Sequence, residues 1–303
     1  RASHTANLLD INLNLALDDR AGSGTDRWTR LVISLHTAPP AISEYDAYEV
    51  VRMLGFDLTN RSSILACIAT ARENARQVRE QITTEMWEQL NRLYLQIRDT
   101  TIEDIWSSQP HDFFSLVRGG VYTFQGITDS TLNHGEIWRF MQLGRFLERA
   151  YASSALLDVQ LCSLMENQDD YAGPENYLEA VALLRSCRAF EAFCKVYTAD
   201  MRPDWIAEFL LLNPDFPRSL CYVAHRVAEA LQAISATTAT TRGSKINRLA
   251  GRFEASLEFG QIDEIMEGGL KPFVRTIRQL CTQIHEGIYE SYITYPVDSS
   301  IAA

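Results

Sequence analysis

The chain predicts an all-α fold, a helical bundle of two related halves, on three observations. Glycine and proline are few, 15 and 9 in 303 residues. Long windows carry apolar residues at a 3.6-residue period, and none shows sustained alternation, which is the mark of amphipathic helices rather than strands. A helix-sized pattern also occurs twice: Arg1-Ala2-Ser3-His4-Thr5-Ala6-Asn7-Leu8-Leu9-Asp10-Ile11-Asn12-Leu13 returns 148 residues later as Arg149-Ala150-Tyr151-Ala152-Ser153-Ser154-Ala155-Leu156-Leu157-Asp158-Val159-Gln160-Leu161. Arg, Ala, the two central Leu, Asp and the last Leu are identical, and Thr5 faces Ser153, so the match holds on polar and apolar positions together.

The echo continues. Trp28 to Leu35 lines up with Tyr177 to Leu184 at a spacing of 149, and Ser63-Ile64 with Ser219-Leu220 at 156. The drift places a few extra residues in connecting loops of the second copy. One repeat of this length is not a solenoid, whose periods run roughly 20–50 residues. The expectation is therefore one compact domain made of a first helical half (1–106), a Gly- and aromatic-rich connector (107–130) and a second half (131–303).

Element by element, a first helix runs to about Leu17 and ends at the Gly22-Ser23-Gly24 turn. A second starts near Asp26 and fades before Pro39-Pro40. Ser43-Glu44-Tyr45-Asp46 caps a short helix from Ala47 to Leu54. Asn60-Arg61-Ser62-Ser63 then caps the longest helix of the first half. Its stripe of Ile64, Ile68, Ala71, Ala75, Val78, Ile82, Met86, Leu90, Leu93 and Ile97 spans about nine turns. The connector holds Pro110, Gly119, Gly120, Gly126 and four aromatics. Its Arg118-Gly119-Gly120 lacks the spacing of a phosphate loop. Helices follow near 132–166, 175–198, 203–212, 217–236, 243–260 and 270–294, with a polar loop at Thr237–Gly243 and a last break at Gly268-Gly269.

A hydrophobic fraction of 46% supplies a core, and a formal charge of −11 opposes a general nucleic-acid or anionic-membrane binder, which needs a basic excess. The six cysteines form no CxxC pair and indicate neither a disulfide framework nor a zinc knuckle. No apolar run approaches the ~18 residues of a spanning helix, and no signal peptide is evident, so the cytoplasm is the expected compartment. The second motif copy is preceded by Glu136 to Glu148, and a comparable stretch is expected before Arg1.

Six scattered histidines and the absence of ExxH spacing leave no metal or cofactor to expect. Two groups of charges stand out. Arg72, Arg76 and Arg79, with Glu73 and Glu80 between them, read either as a solvated helix face held by ion pairs or as a stripe that holds phosphate or carboxylate bidentately. Glu148 and Arg149 point about 100° apart on one helix, so each is aimed at another element, as is Asp158. They make either inter-helix salt bridges or a polar pocket, with Arg145 and the first copy's Arg1 as companions.

Gly144-Arg145-Phe146-Leu147-Glu148-Arg149-Ala150, Leu156-Leu157-Asp158, the run from Ala71 to Glu80, and Trp87-Glu88-Gln89-Leu90-Asn91 together resemble the bacterial Alpha-E family, a helical domain named for its Glu-Arg motif. The likeness covers essentially the whole chain, although the Glu expected before Arg1 is missing. It implies partners: circularly permuted ATP-grasp proteins and transglutaminase-like proteins, in a system that forms or modifies peptides. The expected role is then an accessory domain that docks an ATP-grasp amide ligase or presents its peptide substrate. The alternative is an enzyme in its own right, with Glu148 as general acid or base and Arg149, Arg145, Arg72, Arg76 and Arg79 holding a carboxylate or phosphate.

Overall fold

The structure is a computed structural model that describes residues 1–18, 24–35, 45–166, 173–198, 200–238 and 243–293. The described residues are all-helical, with no strand among them. Helices α1 (Ala2–Asp18), α2 (Gly24–Ser34), α3 (Ala47–Val51), α4 (Ile64–Gln77), α5 (Thr84–Ile97), α6 (Ile102–Trp106) and α7 (Pro110–Thr131) come first. Then follow α8 (Glu136–Leu156), α9 (Cys162–Glu166), α10 (Pro174–Ser186), α11 (Phe190–Tyr197), α12 (Pro203–Leu212), α13 (Leu220–Thr238), α14 (Gly243–Glu258), α15 (Ile262–Gly268) and α16 (Leu270–Ile288). Wide π turns extend α3 (Arg52–Phe56) and α16 (Tyr289–Ile293), and another, Leu157–Leu161, joins α8 to α9. The breaks expected at Gly22-Ser23 and Pro39-Pro40, and residues 239–242 of the polar loop, lie outside the described residues.

Three expectations are corrected. The long helix drawn from Ile64 to Ile97 is a hairpin of α4 and α5, which pack on each other. The stripe was continuous in spacing but not in capping: Thr83 takes the Met86 N–H on its side chain at 3.3 Å and starts a new helix, while Val78 is left largely exposed. A capping threonine outcompetes propagation because it satisfies donors that a helix start leaves open. The segment expected as a connector is, from Pro110 to Thr131, a single helix of 22 residues. Its glycines suggested a loop, but Gly120 is there for closeness: a Cβ on it would lie 2.6 Å from Leu93 Cδ1 of α5. Gln89 of the same helix donates from Nε2 to the Gly120 carbonyl at 3.1 Å. Finally, the helix expected over 175–198 divides into α10 and α11 at Arg188, which holds a left-handed φ of 54°.

The chain forms two compact units: Arg1–Trp138 with Ala155–Pro203, and Arg139–Ser154 with Asp204–Ala303. In the first unit α1 lies against α4, α7 and α10, and α5 packs on α7. The spacing of Thr5, Leu8, Leu9 and Asn12 buries a continuous face of α1. Asn7 Nδ2 on that helix donates to the Ser186 carbonyl at 3.0 Å and the Arg185 carbonyl at 3.2 Å, capping the end of α10. Arg30 of α2 pairs with Glu179 of α10 at 2.5 Å.

In the second unit α13 packs on α14, and α14 and α15 pack on α16. Leu270, Val274, Ile277, Cys281 and Ile284 of α16 repeat at three and four and are all buried, the pattern of a helix with one apolar stripe. Burial pushes the Cys281 thiol up to about 12, since the thiolate loses its water. Residues 139–154 of α8 join this unit through Phe146, 6.3 Å from the Tyr222 ring, and Phe140, 5.4 Å from that of Tyr292.

Candidate functional site

Three arginines of the second unit gather on Phe146. This ring is buried on α8; Arg145 precedes it directly and Arg149 follows about one turn later. Their guanidiniums stand 4.9 Å and 5.2 Å from its centroid, and that of Arg226 on α13 stands at 5.7 Å. Cation–π attraction holds such arrangements together at about 0.5–2 kcal/mol per contact. It does not neutralise them.

Arg149 Nη1 donates to the Pro217 carbonyl at 2.7 Å, just before α13 begins. No carboxylate pairs with Arg149 among the described residues. Burial, then the positive charges of Arg218 and Arg145, lower its pKa to about 10. Arginine therefore remains charged here at neutral pH, and the lowering measures an unfavourable surrounding rather than a titration. Arg226 gives one nitrogen to Glu229, while its Nε is buried without a hydrogen-bond acceptor. Ser219, fully buried, caps α13 by accepting the Tyr222 N–H at 3.1 Å. Glu148 is half-buried on the neighbouring face of α8.

The other arginines expected at a site are placed elsewhere, in the first unit. Arg72 donates to Asn91 Oδ1 at 2.7 Å and lies 4.8 Å over the Tyr94 ring and 5.6 Å over that of Trp87. Arg79, beyond the end of α4, lies 5.9 Å over Trp87. Arg76 turns outward and grips Glu73 through two bonds of 2.8 and 2.7 Å. That hydrogen bonding, with help from Gln77, lowers the Glu73 carboxyl to about 2. Arg72 and Arg79 thus meet on Trp87, and Arg76 is turned to its own helix.

Asp158 is buried in the π turn between α8 and α9. Arg1 is exposed, and its carbonyl receives the His4 and Thr5 N–H groups that open α1. The residue that sequence reasoning passed over is Asp10. Its carboxylate is 9% exposed and accepts from Arg118 at 2.5 Å and from the exposed His111 Nδ1 at 2.8 Å, both on α7. The signal was present: Asp10 is the match of Asp158, and it sits between Leu9 and Ile11 where an acid needs a partner. Among the described residues no group of three His, Cys, Asp or Glu side chains could hold a metal ion, and no helix is long and apolar enough to cross a membrane.

Residues 1–293 match the model of one family, described as a predicted alpha-helical domain with a conserved ER motif. The chain contains a single Glu-Arg dipeptide, Glu148-Arg149, and it lies on the helix that carries the arginine cluster. No curated protein and no solved structure matches the chain. With nearly its whole length covered, the chain belongs to the Alpha-E family.

Proposed function

We propose that this protein is a non-catalytic accessory domain of an ATP-grasp-type amide-ligase system, which binds an acidic group of the ligase or of its peptide substrate. The observation that carries this reading is the convergence of Arg145, Arg149 and Arg226 on Phe146, with Arg149 lacking a carboxylate partner. Guanidiniums keep their protons at neutral pH, so a site built from them holds and orients rather than transfers protons. The partners on this reading are a circularly permuted ATP-grasp protein and a transglutaminase-like protein, and the compartment is the cytoplasm they share.

The same reading takes the body as two copies of one helical unit, and several features support it. Ser63 and Ser219, 156 apart, are both fully buried and cap α4 and α13 in the same way. The order in which α4, α5, α6 and α7 pack is matched by α13, α14, α15 and α16. Arg30 pairs with Glu179, its own counterpart at a spacing of 149, a contact that matched positions make beside a twofold axis.

The test adds the purified chain to the ATP-grasp protein of the same genome and follows amide formation. Stimulation that Arg149→Ala removes and Glu148→Gln preserves is the expected result. An unchanged ligase rate sinks the accessory role. Loss of activity in Glu148→Gln alone turns the reading to the enzyme, with Glu148 as its acid or base.

A further inference from the structure

A carboxylate buried inside the first unit fixes which nitrogen of an exposed imidazole faces solvent. Asp10 on α1 gives one oxygen to Arg118, at 2.5 Å, and the other to His111 Nδ1, at 2.8 Å. A carboxylate paired with arginine can only accept, so Nδ1 carries a proton and the lone pair of the neutral ring lies on Nε2. The His111 side chain is 60% exposed, and its only hydrogen bond among the described residues is the one at Nδ1. Nε2 is thus a nucleophilic nitrogen held in one tautomer by the carboxylate behind it, the arrangement that orients the histidine of hydrolytic triads. The other exposed imidazoles are set differently. His134 donates from Nε2 to the Asp129 carbonyl at 3.0 Å and stacks on Trp138. His225 rests Nδ1 on Glu254 at 2.8 Å, but no arginine shares that carboxylate among the described residues, and Glu258 stands one turn further along α14.

We propose that His111 Nε2 is a phosphoryl-acceptor site, which takes its phosphoryl group from a phosphoramidate-type donor. This goes beyond the accessory reading and concerns the other unit. In the step, the Nε2 lone pair attacks phosphorus, an Nε2–P bond forms, and the P–N bond of the donor breaks. The donor nitrogen, already protonated in the phosphoramidate monoanion, leaves as ammonia. Nδ1 keeps its proton, and the positive charge that appears on the ring meets the Asp10 carboxylate. Two features select a phosphoryl group over a neutral acyl group. A phosphoryl group carries about −1.5 to −2 charges, and Arg118 cancels the Asp10 charge that would repel it. His111 also stands in the first turn of the 22-residue α7, directly after Pro110, where the helix dipole and the open N–H groups favour a negative group. The Gln109 side chain makes no capping bond there. The acid of the same turn, Asp112, is exposed, and solvent and salt screen it.

Incubation of the full chain with phosphoramidate, followed by phosphorus NMR and by mass spectrometry of peptides kept at alkaline pH, tests this. The label should appear first on His111, as the Nε2 isomer, roughly tenfold or more faster than on His134, His225 or His285. It should survive base and be lost in acid, as a phosphorus–nitrogen bond is. His111→Gln should remove it from that peptide. Asp10→Asn should slow it by roughly tenfold or more, the usual worth of a carboxylate that orients an imidazole from behind. If Asp10→Asn fails to fold, the ranking of the histidines within the parent carries the test. Equal labelling of the exposed histidines, label on Nδ1, His225 reacting as fast as His111, or a folded Asp10→Asn that reacts at the parent's rate would each overturn the assignment.

Discussion

Two helices that carry the same sequence pattern use arginine in opposite ways. Against α1, Arg118 finds a carboxylate: it closes on Asp10 with both side chains largely buried, 15% and 9% exposed. Around α8, Arg145 and Arg149 lie against a phenyl ring, and Arg149 donates to a backbone carbonyl with no carboxylate partner among the described residues. The first arrangement sets a buried charge against its opposite. The second sets the Arg149 charge against a ring and a carbonyl, and the contrast separates two ways of holding a buried guanidinium.

The largest expected effect is on the completed side. Arg118→Ala strands the Asp10 carboxylate, for which the exposed His111 only partly compensates, and should cost about 3–5 kcal/mol in denaturant unfolding. A loss below about 1 kcal/mol would break the comparison, because Asp10 would then need no partner. Next come the two capping serines. Ser63→Ala and Ser219→Ala should each cost about 1 kcal/mol, and clearly unequal losses would count against the internal repeat.

Smaller is the effect of Arg149→Met, which keeps an apolar contact with Phe146 but removes the charge. It should change stability by less than about 1 kcal/mol, or raise it, since replacing an ill-matched buried charge by an apolar side chain is often neutral or better. Because the folded protein lowers this pKa from 12.5 to about 10, it disfavours the charged form throughout the range below pH 10. Any advantage of Arg149→Met should therefore be present at neutral pH, as melting curves would show. A clear destabilisation at neutral pH would mean that Arg149 holds the fold as Arg118 does.

The smallest effect belongs to Arg76→Gln. Its partner Glu73 is lowered in the folded state, so the pair contributes above the ordinary carboxylate pKa and is lost as pH falls toward 2. Both side chains are well exposed, at 62% and 46%, and water and salt screen the pair. Melting at pH 7 should be indistinguishable from the parent, and a measurable drop would show that this segment carries more than a solvated face.

What the sequence made legible was what periodicity and pairing encode. The helical class followed from spacing, α12 was bounded correctly at Pro203 and Leu212, and the break at Gly269 proved to be a backbone at φ 92°. Capping and close approach were harder to read. Thr83 divides a stripe whose apolar spacing never falters, and Gly120 looks like a loop residue until the Leu93 side chain is seen beside it. At the site, Arg149 stood out as half of the Glu-Arg pair and Arg145 as its neighbour one turn earlier. Arg218 and Arg226 did not, since nothing in a linear pattern says that α13 returns to Phe146 some eighty residues later.

Cys281 gives the second unit a chemical clock. None of the six cysteines is in a disulfide, but they differ in reach: Cys281 is buried with its thiol held near 12, whereas Cys221 on α13 is only partly covered, although burial and the nearby Glu258 and Glu254 push its thiol up as well. The thiolate is the reactive form, so an alkylating reagent should consume Cys221 from the native protein and reach Cys281 only when α16 lifts from α14. Mass spectrometry of the modified peptides would then time the opening of that packed pair in the intact chain. Cys162 and Cys187, buried in the other unit, would time theirs in the same tube.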